Sequence, residues 1–537
     1  MSSNQSPPPW LANLKQPLIN RLIERSQEDV HVGFNEALGR ALADMRKYSA
    51  MSVAIAAINA MQIGHLNRVD RVRSAPWLSA LLLKWKLLNT TGPVHFGRDM
   101  PQAEFDRLRQ MLWLSDPHLD PNAPGFNAMT MIRGLMAVQM EFQRLATSEF
   151  MRWPALIARL PREHVNQRQF KEAIGLDPET FMDICMVVHT AALQSPIVQR
   201  SFFEPIRAGY GVKVDTFLAL ISRTLPDLRD ELLADPSQAA RVRSEIHELP
   251  YIRRYPLLQL GDQRLASWHP DVLARGLEDA THLRMSKFGD AYSQVFGRVF
   301  EGYVLELLTD AGIPFVPEEA LQKQAGSMKV VEALIESDGC DVYVEAKMGL
   351  FADQLLVRDD PAFLYDRTKN IRAAIAQGWE VSDWVRSGAA SFGESANAEQ
   401  DFLLVVTSRE LYLGGGLMLQ RLYPKGRFDY PEGDIGTRIR STLPLQNVFI
   451  VSIGEFERLT GHVRASGRQL GAILREAAAA NADPQTAKYT LGMHLDGVSG
   501  RRGPVLLRDA MNACSERLQR VLDPTNPARW RAREDLD

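Results

Sequence analysis

The segment "VVEALIESDGCDVYVEAK", residues 330–347, decides the fold of its region. Two runs rich in Val, Ile and Ala flank the dipeptide Asp338-Gly339, which favours a two-residue β-hairpin turn. Apolar and polar residues alternate in both runs, and this alternation is typical of strands that differ in the polarity of their two faces. The segment therefore predicts two antiparallel strands joined by a tight turn.

The turn also predicts the register of the hairpin, because a shift by one residue would exchange the two faces of a strand. In this register Glu332 lies opposite Glu345. The face expected to contact the core is apolar and carries Val331, Ala333, Ile335, Val342, Val344 and Ala346. The face expected to contact solvent carries Glu332, Glu336, Asp341, Glu345 and Lys347.

The opposed glutamates suggest a cation site. Directly paired residues have Cβ atoms about 4.5–5.5 Å apart, so the carboxylates of Glu332 and Glu345 repel each other unless a cation lies between them. Asp341 is four residues from Glu345, roughly 13 Å along the strand, and is too distant to share one ion with it. The two carboxylates and the Ala346 carbonyl would form an oxygen-rich site for Mg²⁺ or Mn²⁺, with Lys347 within reach.

The segments around the hairpin predict a mixed α/β domain over residues 285–465. A helical run, "DAYSQVFGRVFEGYVLELLTDAG", precedes it, and the short segment "IPFVPEE" reads as a strand. After the hairpin come the helical "AFLYDRTKNIRAAIAQGWEVSDWVRSG" and two apolar strands, "DFLLVVTS" and "NVFIVSI". The predicted order is α-β-β-β-α-β-β.

The remainder of the chain has a helical pattern. Apolar residues recur at intervals of three and four through residues 1–284 and again through 466–537. We therefore expect an α/β protein with a large all-helical N-terminal region that recognises substrate or a partner, a central mixed β-sheet flanked by helices, and a helical C-terminal segment.

Composition excludes several classes of protein. The chain has 537 residues, a net charge of −3 and 45% hydrophobic residues, so any binding of nucleic acid requires a local basic patch. Its three cysteines are far apart and suggest neither a disulfide framework nor a CxxC metal site. The N-terminus "MSSNQSPPPW" lacks the features of a signal peptide, and the apolar stretch "MSVAIAAINAMQIG" is too short to span a bilayer. We therefore expect a cytoplasmic protein that does not associate with a membrane.

The hairpin and its flanking segments resemble the PD-(D/E)xK nuclease superfamily over about residues 285–465. In that family an acidic residue opens the second strand, and the motif E-x-K closes the third. Glu332, Glu345 and Lys347 match this pattern, with Glu332 where the family usually has Asp. That departure leaves Asp341 or Asp338 as alternative first ligands if the register differs.

The helix before the sheet often supplies a further glutamate in this family. Glu301 in "RVFEGYVLELL" lies at the matching helical position, and Glu306 is the alternative. The helix after the E-x-K strand resembles the family's second helix, where Lys369 and Arg372 would contact phosphate.

The resemblance implies a metal-dependent nuclease that hydrolyses phosphodiester bonds of DNA or RNA with Mg²⁺ or Mn²⁺, as an endonuclease or an exonuclease. The catalytic residues would be Glu332, Glu345 and Lys347, and the metal ligands Glu332, Glu345, Ala346 and Glu301. The pairing of such a domain with a helical region resembles prokaryotic anti-phage or mobile-element proteins, which implies a nucleic-acid partner and either a homo-oligomer or a phage-derived trigger. The alternative is a catalytically inactive nuclease fold that binds nucleic acid or protein.

Overall fold

The structure is a computed structural model. It describes residues 34–62, 75–115, 128–142, 148–235, 251–349, 354–357, 360–392, 400–431, 433–483, 485–496 and 503–522. The N-terminal segment "MSSNQSPPPW" and the end of the C-terminal segment, residues 523–537, lie outside these ranges.

Contacts within the chain divide the described residues into two compact units. One unit is formed by the described residues up to Tyr292 together with the last helix, and the other by the described residues from Ser293 to Val505. The fold is mixed α/β, as the sequence predicts, because each unit contains a β-sheet.

The first unit is mainly helical. Its helices before the second unit are α1 (Phe34–Met45), α2 (Ala50–Met61), α3 (Trp77–Leu88), α4 (Gln102–Leu114), α5 (Ala128–Met140), α6 (Arg152–Ala158), α7 (Val165–Ile174), α8 (Pro178–Gln194), α9 (Glu204–Tyr210), α10 (Lys213–Ile221), α11 (Leu225–Ala234) and α12 (Pro270–Met285). The large side chains of Trp85, Trp153 and Trp268 are fully buried and form part of its core.

The prediction that this region is all-helical is wrong. A four-stranded sheet lies within it, in the order β1-β4-β3-β2. Its strands are β1 (Ile197–Gln199), β2 (Ser222–Arg223), β3 (Leu257–Gln259) and β4 (Arg264–Ser267). Each strand has only two to four residues, which is too short for a period-two alternation to stand out in the sequence.

The second unit is built on a five-stranded sheet in the order β5-β6-β7-β8-β9. Its strands are β5 (Val316–Pro317), β6 (Ala333–Ser337), β7 (Cys340–Lys347), β8 (Phe402–Thr407) and β9 (Val448–Ser452). Its helices are α13 (Asp290–Asp310), α14 (Glu318–Ala325), α15 (Gln354–Val357), α16 (Pro361–Arg367), α17 (Lys369–Arg386), α18 (Gly416–Leu422), α19 (Gly433–Thr442), α20 (Ile453–Ser466), α21 (Leu470–Ala482) and α22 (Leu491–His494).

The predicted hairpin is confirmed. Strands β6 and β7 are antiparallel, with Ser337 opposite Cys340 and Leu334 opposite Tyr343. Asp338 and Gly339 both have positive φ, at 53° and 70°, as the predicted turn requires. Strand β5 extends the antiparallel part, whereas β8 and β9 continue the sheet in parallel.

Helices cover both faces of the hairpin. Helix α17 connects the parallel strands β7 and β8 and packs on the face that carries Glu345. Gly378 allows this close approach, because a Cβ there would lie 2.7 Å from the Leu403 side chain. On the opposite face the backbone N–H of Gly471, in α21, donates to Ser337 Oγ at 3.0 Å.

The expectation of a solvent-facing polar face is therefore wrong for most of its length. Glu345 and Asp341 have no exposed surface, and Glu332 is only 9% exposed. The physical reason is the parallel pair, since a parallel connection needs a crossover helix, and that helix buries the face on which it packs.

The segment predicted as a separate C-terminal helical region is divided between the two units. Helix α21 packs on β6 and β7 of the second unit. The last helix, α23 (Val505–Leu522), joins the first unit, where Arg517 forms two hydrogen bonds of 2.8 and 2.7 Å with the buried Asp183 carboxylate.

In the part of the chain that the structure describes, no helix combines the length and the apolar character that crossing a bilayer would require.

Candidate functional site

Glu332 and Glu345 lie side by side at one end of the hairpin. Glu345 is in β7, and Glu332 directly precedes β6, so the confirmed register places them across from each other. One carboxyl oxygen of Glu332, Oε2, accepts a hydrogen bond of 2.8 Å from the backbone N–H of Ala346. This contact ties the Glu332 side chain to the strand that carries Glu345.

The two carboxyl groups share a proton. Burial raises the pKa of Glu332 strongly, and the neighbouring Glu345 carboxylate raises it further. Burial also raises the pKa of Glu345, although hydrogen bonds from Glu332 and Lys347 oppose this rise. Because both pKa values are raised, the pair holds a proton at neutral pH that free carboxyl groups would release. The pair titrates as a unit rather than as two independent acids.

Lys347 completes the predicted trio. Its ammonium group forms an ion pair with Glu345 Oε1, and its side chain is 28% exposed, so it links the buried pair to the surface. Burial alone would lower the pKa of Lys347, but the carboxylates of Glu345 and Glu332 raise it overall. Lys347 therefore stays protonated at neutral pH.

Gln377 holds the second oxygen of Glu345. Its side-chain nitrogen, in α17, donates to Glu345 Oε2 at 3.1 Å and to the backbone carbonyl of Val330 at 2.6 Å. Gln377 is not among the site residues predicted from the sequence. The available signal was a polar side chain on a helix whose neighbours Ala374, Ile375 and Gly378 are buried.

Two further acidic residues lie near this pair. Burial raises the pKa of Glu301, in α13, and the carboxylates of Glu332 and Glu318 raise it further. The predicted position of Glu301 near the carboxyl pair thus agrees with its electrostatics. Glu318, which sequence analysis missed, begins α14, and its backbone N–H donates to the Glu332 carbonyl at 3.0 Å. The feature of the sequence that could have identified Glu318 is the pair of acidic residues in the first turn of that helix.

The two carboxyl groups can supply oxygen ligands for a cation, but they do not complete its coordination. Two carboxyl groups that share one proton can share a divalent cation instead, with water as the remaining ligands, as Mg²⁺ prefers. Among the residues described, no three His, Cys, Asp or Glu side chains converge closely enough to hold a metal ion. The predicted ligand roles of Glu301 and the Ala346 carbonyl remain predictions.

The alternative first ligands lie elsewhere. Asp341 pairs with Glu336 next to the turn, at the other end of β7 from Glu345. Asp338 lies in the turn itself, where its carboxylate accepts a hydrogen bond of 2.7 Å from Arg475. The observed register therefore leaves Glu332 as the acidic residue opposite Glu345. Asp341 is predicted to lie on the face that contacts solvent, but its complete burial contradicts this expectation.

The predicted phosphate contacts have different surroundings. Lys369 is exposed at the first position of α17. Arg372 is already engaged, because its guanidinium forms an ion pair of 3.2 Å with Asp429 and lies 3.6 Å from the centre of the Tyr365 ring. A direct phosphate contact by Arg372 would have to compete with Asp429.

Comparison of the chain with protein-family models, with curated proteins and with solved structures finds no match. The geometry and electrostatics of the site are therefore the basis for any function assigned to this chain.

Proposed function

We propose that this chain is a metal-dependent nuclease of the PD-(D/E)xK type, which hydrolyses phosphodiester bonds of DNA or RNA. The observation that carries the proposal is the carboxyl pair of Glu332 and Glu345, buried across two adjacent strands beside Lys347. Burying two acids next to each other is unfavourable unless a proton or a cation lies between them.

The residues present supply the groups that this hydrolysis requires. A divalent cation held by Glu332 and Glu345 would make a bound water more acidic and stabilise charge on a phosphoryl oxygen. The ammonium group of Lys347, kept protonated by its carboxylate neighbours, adds a positive charge where negative charge develops. Gln377 and the backbone N–H of Ala346 orient the two carboxyl groups.

Incubation of the full chain with supercoiled plasmid, single-stranded DNA and RNA, in Mg²⁺ or in EDTA, tests the proposal. We expect Mg²⁺-dependent cleavage that Glu345→Gln and Lys347→Met abolish. Glu336→Gln is the matched control, because this exposed glutamate lies on the same hairpin. Equal Mg²⁺-dependent cleavage by wild type and both site variants would remove the site from consideration.

A second candidate function is a nuclease fold that binds nucleic acid or protein without cleaving. The observation that favours it is that both oxygens of Glu345 already have partners, Lys347 and Gln377. Binding without cleavage in any of the cation conditions would support this function. An anti-phage role, with a homo-oligomer or a phage-derived trigger, remains a prediction from resemblance.

A further inference from the structure

A cluster of aromatic and basic side chains lies along α17, from Lys369 at its start to the rings that pack on Trp379. We call it the aromatic–basic surface and define it by Tyr365, Lys369, Arg427, Phe428, Tyr430 and Arg440. Its three rings are half-buried, and its three cationic side chains are exposed. Such interleaving of rings and cations is the composition of surfaces that bind single-stranded nucleic acid.

A buried tryptophan fixes the rings in place. Trp379, in α17, has no exposed surface and stacks on Tyr430, with ring centres 4.9 Å apart and an angle of 16° between the planes. Phe428 packs edge-on against the same tryptophan at 5.7 Å. The segment that carries Phe428 and Tyr430 is therefore anchored to the helix, so the rings need little further ordering to bind a flat ligand.

Guanidinium groups extend the flat surface. Arg372 lies 3.6 Å and Arg427 5.5 Å from the centre of the Tyr365 ring, and Arg440 lies 5.3 Å from that of Tyr430. Asp429 accepts hydrogen bonds from Arg372 and Arg427 at 3.2 Å each, which positions both cations beside Tyr365. Arginine planes stack on bases as aromatic rings do, and they also attract phosphate.

The local charge differs in sign from that of the whole chain. Residues 361–372 and 421–440 together contain eight Lys and Arg but only four Asp and Glu, whereas the whole chain has a net charge of −3. This is the local basic patch that a nucleic-acid-binding protein with an acidic total charge needs.

The aromatic–basic surface begins at the same end of the sheet as the carboxyl pair. Because α17 connects the parallel strands β7 and β8, its first residue, Lys369, lies at the end where β7 finishes with Lys347. Gln377, which contacts Glu345, is five positions after Arg372, or about 7–8 Å along the helix axis. A strand bound at the start of α17 thus lies at the same end of the sheet as the carboxyl pair, with Arg372 and Gln377 about 140° apart around the helix.

We propose that the aromatic–basic surface binds single-stranded nucleic acid, with bases on its rings and phosphates on its exposed cations. This proposal rests on the proposed nuclease function, for which it specifies the substrate class. A duplex hides the faces of its bases, so rings would contribute little to its binding, whereas an unpaired strand presents every base for stacking. Stacking is tolerant of sequence, so we expect little discrimination among bases.

Fluorescence anisotropy of the full chain in EDTA tests the surface without cleavage. The ligands are labelled oligothymidylate, oligouridylate and a DNA duplex of equal length. We expect tighter binding of both single strands than of the duplex. The exposed pair Lys369→Ala/Arg427→Ala should raise the single-strand Kd about tenfold or more and reduce its salt dependence. Tyr430→Leu should raise the Kd about 5- to 100-fold through lost stacking.

Lys488→Ala is the matched control, because this lysine is exposed in the same unit outside the surface. Circular dichroism and urea unfolding of Tyr430→Leu separate lost stacking from lost fold. The proposal would be overturned if the protein bound the duplex more tightly than the single strands, or if the double variant kept the wild-type affinity. It would also be overturned if polyglutamate displaced the labelled strand as effectively as an unlabelled single strand does. If the double variant binds single strands as wild type does and Mg²⁺-dependent cleavage is intact, the proposed binding surface is rejected and the nuclease function is retained. If the double variant binds single strands more weakly but wild type does not cleave, the nuclease function is rejected and the binding surface is retained.

Discussion

The two ends of strand β7 bury negative charge in different ways. At one end the carboxylates of Asp401 and Asp341 both raise the pKa of Arg386. Arg386 donates two hydrogen bonds of 2.8 Å to Asp401, which accepts another of 2.7 Å from Ser382. At the other end Glu345 has Glu332, Glu301 and Glu318 around it and a single lysine beside it.

The difference separates an arrangement whose buried charge is compensated from one whose carboxyl groups repel one another. A bidentate arginine compensates a buried carboxylate and stabilises the fold locally. Several carboxyl groups close together raise one another's pKa values and lower the stability of the fold. Groups with such perturbed pKa values cluster at functional sites. The Arg386 end therefore should respond to mutation through stability, and the Glu345 end through cation binding and chemistry.

The largest effect is expected at the Arg386 end. Arg386→Met leaves the carboxylate of Asp401, which has no exposed surface, without its ion pair. Breaking a buried pair by removing one partner costs about 3–5 kcal/mol. Urea unfolding should show this loss, whereas Arg438→Met, which breaks an exposed pair with Asp383, should change the free energy of unfolding far less. Similar losses for the two variants would contradict the structural role of Arg386.

At the other end Glu332→Gln should stabilise the metal-free protein. The raised pKa of Glu332 means that the folded state holds a proton that the unfolded state releases above the ordinary carboxyl range, near pH 4.5. Wild-type stability therefore falls as pH rises above that range, and the variant lacks this loss. We expect a gain of up to about 3 kcal/mol at neutral pH, since pH 7 lies about 2.5 units above 4.5 and each unit of pKa shift is worth about 1.4 kcal/mol.

Urea unfolding in EDTA across pH measures this gain, which should increase with pH. Glu336→Gln, at the exposed end of the hairpin, should show no such increase. A destabilised Glu332→Gln protein, or a difference that does not change with pH, would contradict the shared proton.

The smallest effect is expected at Gln377. Gln377→Met keeps the size of the side chain but removes the donor to Glu345 Oε2, and a typical hydrogen bond contributes about 1 kcal/mol. A donor stabilises the charged form of an acid, so its removal should raise the pKa of Glu345 further. The acid limb of the pH–rate profile for cleavage should consequently move to higher pH. A lower rate with an unshifted profile would limit Gln377 to packing.

Local sequence signals were sufficient for the register of the hairpin. The turn dipeptide Asp338-Gly339 and the alternation on both sides allow one pairing. The order of the five strands also followed from local patterns, whereas the helices α14, α18 and α19 between them were missed. The placement of Glu332 opposite Glu345 was a consequence of this register.

Features that depend on distant segments were not predictable in this way. Neither the hairpin nor α17 alone indicates which face the helix covers, so the burial of Asp341 and the contact of Gln377 with Glu345 were missed. From the sequence, Arg372 was predicted to contact phosphate, because its partner, Asp429, is 57 positions away in the chain and could not be recognised.

Calorimetric titration of the metal-free protein with Mn²⁺ at neutral pH tests the central claim most directly. A cation that binds between Glu332 and Glu345 must displace their shared proton, and buffers of different ionisation enthalpy report its release. We predict binding with proton release in wild type, and weaker binding with no release in Glu332→Gln. Equal binding in the two proteins, or binding without proton release in wild type, would show that the carboxyl pair is not the cation site.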